Sequence, residues 1–396
     1  MSKRIISFIL ILVMTCSGVA AFAEDAPVTQ APPPAVTWST QKKEQETAEL
    51  AAASVIDFDQ RSIEVAQFMD EVNYKIYQDG SKVTQYRVNR RNITSDPVGF
   101  ELETKAGQIV IAENLSNPNA PTERPTVVTG TTSIYNLIPY DVYQVTVKNS
   151  EGKVVNSFRI RPIGGTRFIK FNAITNFRDL GGMEGENGQA IRYGLLFRGG
   201  EIQNKAKEAI VQEDCNFLAT TLGITKEIDL RLEAEASHTL ALQKRNGTEG
   251  LSQIPGAVYE RYNVDSYLTA IDMSSPKEEY IEVIGALRSI FDSVMYEEPV
   301  YFHCSAGADR TEVIAFLIEG LLGVEEGDLD KDYELTSFAY TSQDRKKTYK
   351  PYIKMKDYLR TEFPGRTLQE NIYNWFITAG FSADEIEQFK MVMLTR

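Results

Sequence analysis

Histidine, cysteine and tryptophan are scarce in this chain of 396 residues, with two, three and two copies. So few cysteines cannot build a disulfide framework. Cys16 lies in the N-terminal apolar run, which leaves Cys215 and Cys304 for the rest of the chain. The two histidines, His238 and His303, show no metal-ligand spacing with those thiols, so no metal and no other cofactor is expected. Basic residues are in deficit, 42 Lys+Arg against 55 Asp+Glu, giving a formal charge of −13. That balance argues against nonspecific nucleic-acid binding, and an anionic substrate must be drawn in by a local field. Beyond the first residues no run is long and apolar enough for a membrane helix, so no transmembrane span is expected in the processed chain.

The early apolar run, Ile5 to Met14, follows Lys3 and Arg4 and precedes the small–bulky–small triplet Ala21, Phe22, Ala23. This is the pattern of a secretory signal over 1–23, cut near Ala23, and it predicts an exported protein, whether secreted, periplasmic or at the cell surface. Residues 24–84 read as a Pro-rich linker, "APVTQAPPPAVTW", followed by a helix within 44–76 carried by Leu50, Val55, Ile56, Val65, Phe68 and Met69. Over 85–165 short alternating runs such as "VGFELET", "GQIVIAE" and "VYQVTVKN" predict a small all-β sandwich. Within it, Leu137, Pro139 and Tyr143 of "LIPYDVYQVTV" resemble the turn and strand of fibronectin type III-like modules. The resemblance implies a tyrosine bonded back to the chain at a strand corner, and a spacer. From 166 to 396 strand-like and helix-like stretches alternate, among them "PVYFHC", "TEVIAFLIEGLLG" and "YIEVIGALRSIFDSVM". That alternation predicts an α/β domain with a central, mainly parallel sheet flanked by helices.

The densest chemistry sits at 303–311, "HCSAGADRT", between the run "PVYF" and the helical "EVIAFLIEG". A strand feeding a tight loop that opens a helix brings unpaired N–H groups and partial positive charge to one point. Gly307, flanked by Ala306 and Ala308 and preceded by Ser305, lets the backbone curl into an anion-binding nest. Cys304 at its start is placed to ionise, and the Arg310 fork matches two phosphate oxygens. Thr311 is placed to hydrogen-bond the sulfur, while a buried His303 shapes the loop and is not a base. Cys304 must remain a thiol, which argues against its pairing with Cys215.

His303, Cys304, Gly307, Arg310 and Thr311 resemble the C-x5-R signature of Cys-based protein tyrosine phosphatases. "NFRDLGG" near residue 180, "DLR" at Asp229, Leu230 and Arg231 with Glu233 or Glu235 after it, and "KDYELTS" resemble a bacterial tyrosine and phosphoinositide phosphatase branch. The likeness covers about residues 168–392. It implies a phosphocysteine on Cys304, a phosphate clamp at Arg310, and Asp309 as the general acid, with Asp265 on a separate loop as the rival. Arg178 and Asp179 are implied to line or brace the site and Asp229 to support it. Two departures stand out. Ala308 replaces a lysine frequent in the branch, and Glu312 replaces a glycine and is expected to point away from the pocket. The function so implied is an exported phosphatase acting on protein phosphotyrosine, with dual specificity as an extension. A phosphoinositide or inositol phosphate phosphatase is the alternative, and a catalytically silent phosphate-binding or adhesion protein is the remoter one.

Overall fold

A computed structural model describes residues 54–394 apart from 72–76, 78–79, 88–92, 119, 171–173, 203–211 and 341–343. The expected signal sequence and Pro-rich linker lie outside the described residues, as does the start of the expected helix at 44–53. The chain from Ala53 onward forms one compact unit.

Its first structural element corrects the expectation of a helix across Val55 and Ile56. Val55–Asp59 is a strand, β1, and among the described residues of that stretch the helix is Ile63–Glu71, α1. β1 runs parallel to β6 (Val154–Ile163), with Val55 opposite Arg159. Its partner lies a hundred residues downstream, so the local spacing of apolar residues could not reveal the pairing. Ser62 caps the helix, accepting the N–H of Val65 on its side chain.

A short helix, α2 (Val83–Tyr86), precedes β2 (Phe100–Thr104), β3 (Ile109–Asn114), β4 (Gly130–Ile134) and β5 (Tyr143–Lys148). One sheet has the order β1-β6-β5-β3, and β2 pairs with β4 in a second. Val110, Ile134, Val145 and Ile160 from the two sheets share one apolar cluster. Tyr143 Oη accepts the N–H of Ile138 at 2.9 Å across the corner that begins β5.

The second sheet system contains β7 (Arg178–Asp179), β8 (Leu196–Gly199), β9 (Lys226–Asp229), β10 (Val258–Arg261) and β11 (Val300–His303) in the order β10-β9-β11-β8-β7. The first four in that order are parallel, and the edge strand β7 is antiparallel. β11 is buried along its whole length at the centre. Alternation sends Val300 and Phe302 to one apolar cluster and Tyr301 to another. Helices α3 (Gln212–Thr220), α4 (Glu233–Asn246), α5 (Leu268–Ile271), α6 (Tyr280–Met295) and α7 (Arg310–Leu321) interleave with the strands. α8 (Glu326–Leu335), a 3-10 turn (Thr336–Ala339), α9 (Lys350–Glu362), α10 (Leu368–Thr378) and α11 (Ala383–Met393) complete the domain. Cys215 and Cys304 are both free and buried, and they belong to separate clusters.

The segment from α1 to α2 packs on the back of the 3-10 turn. Val65, Phe68, Tyr77 and Val83 form a cluster with Phe168, Leu335 and Phe338. Phe68 is the hub, in ring contact with Tyr77, Tyr86 and Phe338. Phe68→Ala should therefore cost about 3–5 kcal/mol of stability, read as a lower urea midpoint in the full chain.

Candidate active site

β11 ends at His303, and α7 begins at Arg310. The loop between them is drawn tight by four consecutive carbonyl groups, each held by a donor from outside the curl. Cys304 O accepts from His303 Nδ1 at 3.2 Å, and Ser305 O from the Glu201 N–H at 3.3 Å. Ala306 O accepts from the Tyr340 hydroxyl. Gly307 O takes two donors, Asn176 Nδ2 at 2.9 Å and Arg198 Nη2 at 3.3 Å. With the carbonyls facing out, the N–H groups face in, and among the described residues none of Ser305–Asp309 donates its N–H to a protein oxygen. Gly307 has φ +65, and a Cβ there would lie 2.4 Å from the Gly199 backbone. "FRGG" thus matters as the floor against which this loop folds.

Burial of Cys304 raises its thiol pKa, but the Thr311 hydroxyl and the N–H groups of Thr311, Ala306 and Ala308 outweigh that and hold it below the ordinary value. The Thr311 hydroxyl is buried and has no other partner among the described residues. His303 is fully buried beneath, its Nε2 2.9 Å from a Glu227 carboxylate oxygen. Burial disfavours the charged ring, yet Asp229 and Glu227 more than compensate and its pKa is raised, and each ring nitrogen faces an oxygen acceptor. Arg310 is clamped through Nη1 and Nη2 to Glu235, at 2.6 and 3.3 Å, while its buried Nε has no protein partner among the described residues. Glu235 also caps α4 by accepting the N–H of Leu232 at 3.0 Å. Of the two acidic residues that follow "DLR", only Glu235 reaches the loop's arginine in these contacts.

Under the loop lies a buried charge cluster. Arg178 donates to Asn176 Oδ1 at 2.5 Å and pairs with Asp332 at 3.0 Å. Arg198 pairs with Asp332 at 2.6 Å and with Glu312 at 2.7 Å. Glu312 thus points into the core, away from the sulfur. Burial pushes Glu312 up to about 7, with Arg198 pulling the other way, and burial with the Asp332 charge raises Glu319 well above the usual carboxyl range. The "DYELTS" stretch is explained residue by residue around this cluster. Asp332 binds both arginines, Tyr333 contacts Tyr267 at 3.0 Å, Glu334 binds Tyr77, Thr336 binds Asn176 at 3.2 Å, and Ser337 holds Arg345.

Asp309 stands at the N-cap of α7, yet its side chain caps nothing. Its oxygens go to Arg345, Nε at 3.1 Å and Nη2 at 2.9 Å, and to the Tyr267 hydroxyl at 2.5 Å. Burial, then Tyr333 and Asp309, keep the Tyr267 phenol far above its ordinary value and therefore protonated. Tyr267 adopts φ +53, a costly backbone for a bulky residue, held by its contacts with Asp309, Tyr333 and Tyr349. A cavity of about 440 Å³ opens beside Asp309, lined also by Ser266, Tyr267, Asp344, Arg345 and Tyr349.

Three expected site residues sit elsewhere. Asp265 is exposed and, among the described residues, accepts only the neighbouring Ser266 N–H, because the turn sends Tyr267 to the loop instead. Asp179 is buried against Arg167 at 2.8 Å and takes the N–H groups of Gly181 and Gly194, so it braces the approach to β7–β8. Asp229 acts at one remove. It binds Arg231 and Tyr259, and Arg231 in turn binds Glu201, whose N–H holds Ser305. Asn176 opens the "NFRDLGG" stretch and Arg198 lies in "FRGG", whereas Glu227, Tyr340 and Arg345 carry no local sequence signal of these contacts.

The tyrosine phosphatase family model matches residues 169–394, more than half of the sequence. The chain belongs to the tyrosine phosphatase family. A Cupriavidus necator protein named as a candidate tyrosine-protein phosphatase is 27% identical over 183 residues, covering 43% of this chain and 63% of that protein. A tyrosine-protein phosphatase of Nostoc commune is 27% identical over 122 residues, covering 29% of this chain and 41% of that protein. The chain thus spans less than two thirds of the length of either relative. β11, the loop and α7 all fall inside the matched region of this family member, whereas α1, α2 and β1–β6 precede it.

Two measurements test this geometry. Gly307→Ala forces a Cβ against the Gly199 backbone at a strained positive φ, so it should push the loop out of shape, lower the urea midpoint and weaken inorganic phosphate binding at least about tenfold by calorimetry. Glu312 binds its proton more tightly folded than unfolded. Its contribution is thus present below its ordinary value of 4.5 and lost as pH rises through about 7. Glu312→Gln should flatten that decline, which is at most about 1.4 kcal/mol per pH unit, in urea midpoints between those limits.

Proposed function

We propose that the protein is an exported phosphatase that hydrolyses phosphomonoesters, with protein phosphotyrosine as its substrate class. The observation that carries this reading is the ring of inward N–H groups around a thiol held below its ordinary pKa, closed by an arginine whose Nε is unspent. The Cys304 thiolate attacks phosphorus, the P–O bond to the substrate breaks, and the leaving oxygen takes a proton from Asp309. Water then attacks the phosphocysteine, Asp309 takes a proton back, the S–P bond breaks, and inorganic phosphate leaves. Arg310 and the N–H groups hold the equatorial oxygens through both steps.

The choice of an aryl phosphate rests on the cavity beside Asp309, where Tyr267 and Tyr349 present ring surface in mutual contact, with centroids 5.6 Å apart. Arg345, the cation among the described lining residues, is engaged by Asp309, and Asp344 adds negative charge. Such a rim is poorly suited to a second phosphate, which fits the loss of a cation at Ala308 and disfavours inositides. Residues 85–165 are read as a fibronectin type III-like spacer, and export rests on the signal-like residues 1–23.

The purified protein should turn over a phosphotyrosine peptide faster than any phosphoinositide in a panel, and Cys304→Ser should lose at least about 10⁴-fold in kcat. Equal turnover by Cys304→Ser would overturn the reading. The rate of iodoacetamide alkylation should titrate below an ordinary thiol, and Thr311→Val should move that inflection upward.

A further inference from the structure

We propose that Arg345 is a positioning residue for Asp309, and that the segment before the matched phosphatase region reaches the active site through Arg87 behind it. The inference rests on the reading of Asp309 as the proton donor.

Aspartate is among the best N-cap residues, because its carboxylate ordinarily accepts the first free N–H groups of the helix. Asp309 occupies that position and does not use it. Something stronger than a cap draws its side chain outward, and the planar fork of Arg345, bonded to both oxygens, is that group. The fork holds the carboxylate in one orientation at the wall of the cavity, and the Tyr267 hydroxyl fixes the same oxygen from the other side. Asp309 keeps about a third of its side chain exposed there, so it remains reachable from the cavity.

Arg345 is itself fixed. Ser337 Oγ accepts its N–H at 2.7 Å and donates to its C=O at 2.9 Å. The preceding residue, Asp344, is ion-paired with Arg87, whose side chain is almost wholly buried at 1% exposure. Arg87 follows directly on α2, where Val83 joins the Phe68–Phe338 cluster. A continuous path of contacts thus leads from the N-terminal segment through Asp344 and Arg345 to Asp309. None of Phe68, Val83 and Arg87 lies within residues 169–394, which the family match covers. A donor displaced by about 1 Å can lose roughly 10²-fold in rate, so what fixes Asp309 is part of catalysis even without touching substrate.

Proton donation matters most when the leaving group is poor, and this separates positioning from general structural support. In the full chain, Arg345→Met should lose about 10–100-fold more in kcat/KM, which reports the step that expels the leaving group, on phenyl phosphate than on 4-nitrophenyl phosphate. Arg345→Lys should recover part of that difference, and Arg87→Met should show the same bias to a smaller degree. Combined with Asp309→Asn, Arg345→Met should add no further bias, because the donor is already gone. Unfolding midpoints accompany each variant, and the ratio between two substrates is measured on whatever fraction is folded. Equal losses on both substrates for Arg345→Met, with a biased loss for Asp309→Asn, would overturn this proposal and leave the acid assignment standing. Bias that persists in the double variant would overturn it too. An unbiased Asp309→Asn would remove the acid assignment and this proposal together.

Discussion

The active site depends on four consecutive carbonyl groups being held outward. A peptide unit cannot turn its C=O away without turning its N–H the other way, so tethering the oxygens of Cys304 to Gly307 aims the donors of the following residues inward. Each tether contributes on the order of 1 kcal/mol alone. Together they remove the loop's alternatives. The donors come from β11 itself, from Glu201 after β8, from Asn176 ahead of β7, from Arg198 in β8 and from Tyr340 after the 3-10 turn. The phosphate-binding shape is therefore a property of the whole domain, although the residues that would touch the ligand are consecutive.

Two of those tethers rest on buried charge. Arg198 and Asn176 converge on Gly307 O, and behind them stand Arg178, Asp332, Glu312 and Glu319. Buried ion pairs seldom add net stability, since desolvation offsets much of the attraction. Here an oxygen of Glu312, an oxygen of Glu319 and the Arg198 Nε have no protein partner among the described residues, which makes the cluster costlier still. What it supplies is direction. A guanidinium locked by two carboxylates has one orientation, and the carbonyl it holds inherits that orientation. His303 between Glu227 and the Cys304 carbonyl repeats the device on the other face of β11.

The strand–loop–helix around Cys304 was legible because its signals are local: an apolar run, a glycine that only a tight turn needs, and helical periodicity ending at Gly323. So was the alternation of strands and helices after residue 168. Contacts between distant segments were not. β1 looked like part of a helix because its partner strand is a hundred residues away. Asp265 carried the right side chain for proton transfer, but the positive φ at Tyr267 turns a phenol, not that carboxylate, to the loop. Glu235 was visible as an acidic residue after "DLR", but its grip on Arg310 depends on where α4 starts in space. Asp179 stood beside Arg178 in a recognisable motif, and the alternation of a strand sent the two side chains to different partners.

The uncapped start of α7 reaches beyond the chemistry. A helix whose N-cap side chain accepts none of its first N–H groups is incompletely capped, and an anion in the loop would supply what the Asp309 side chain does not. Folding and ligand occupancy then share the same donors and are linked by mass action. Phosphate at a hundred times its dissociation constant would add about 2.7 kcal/mol to the stability of the whole domain. The protein's resistance to unfolding would in that way report how much phosphate surrounds it.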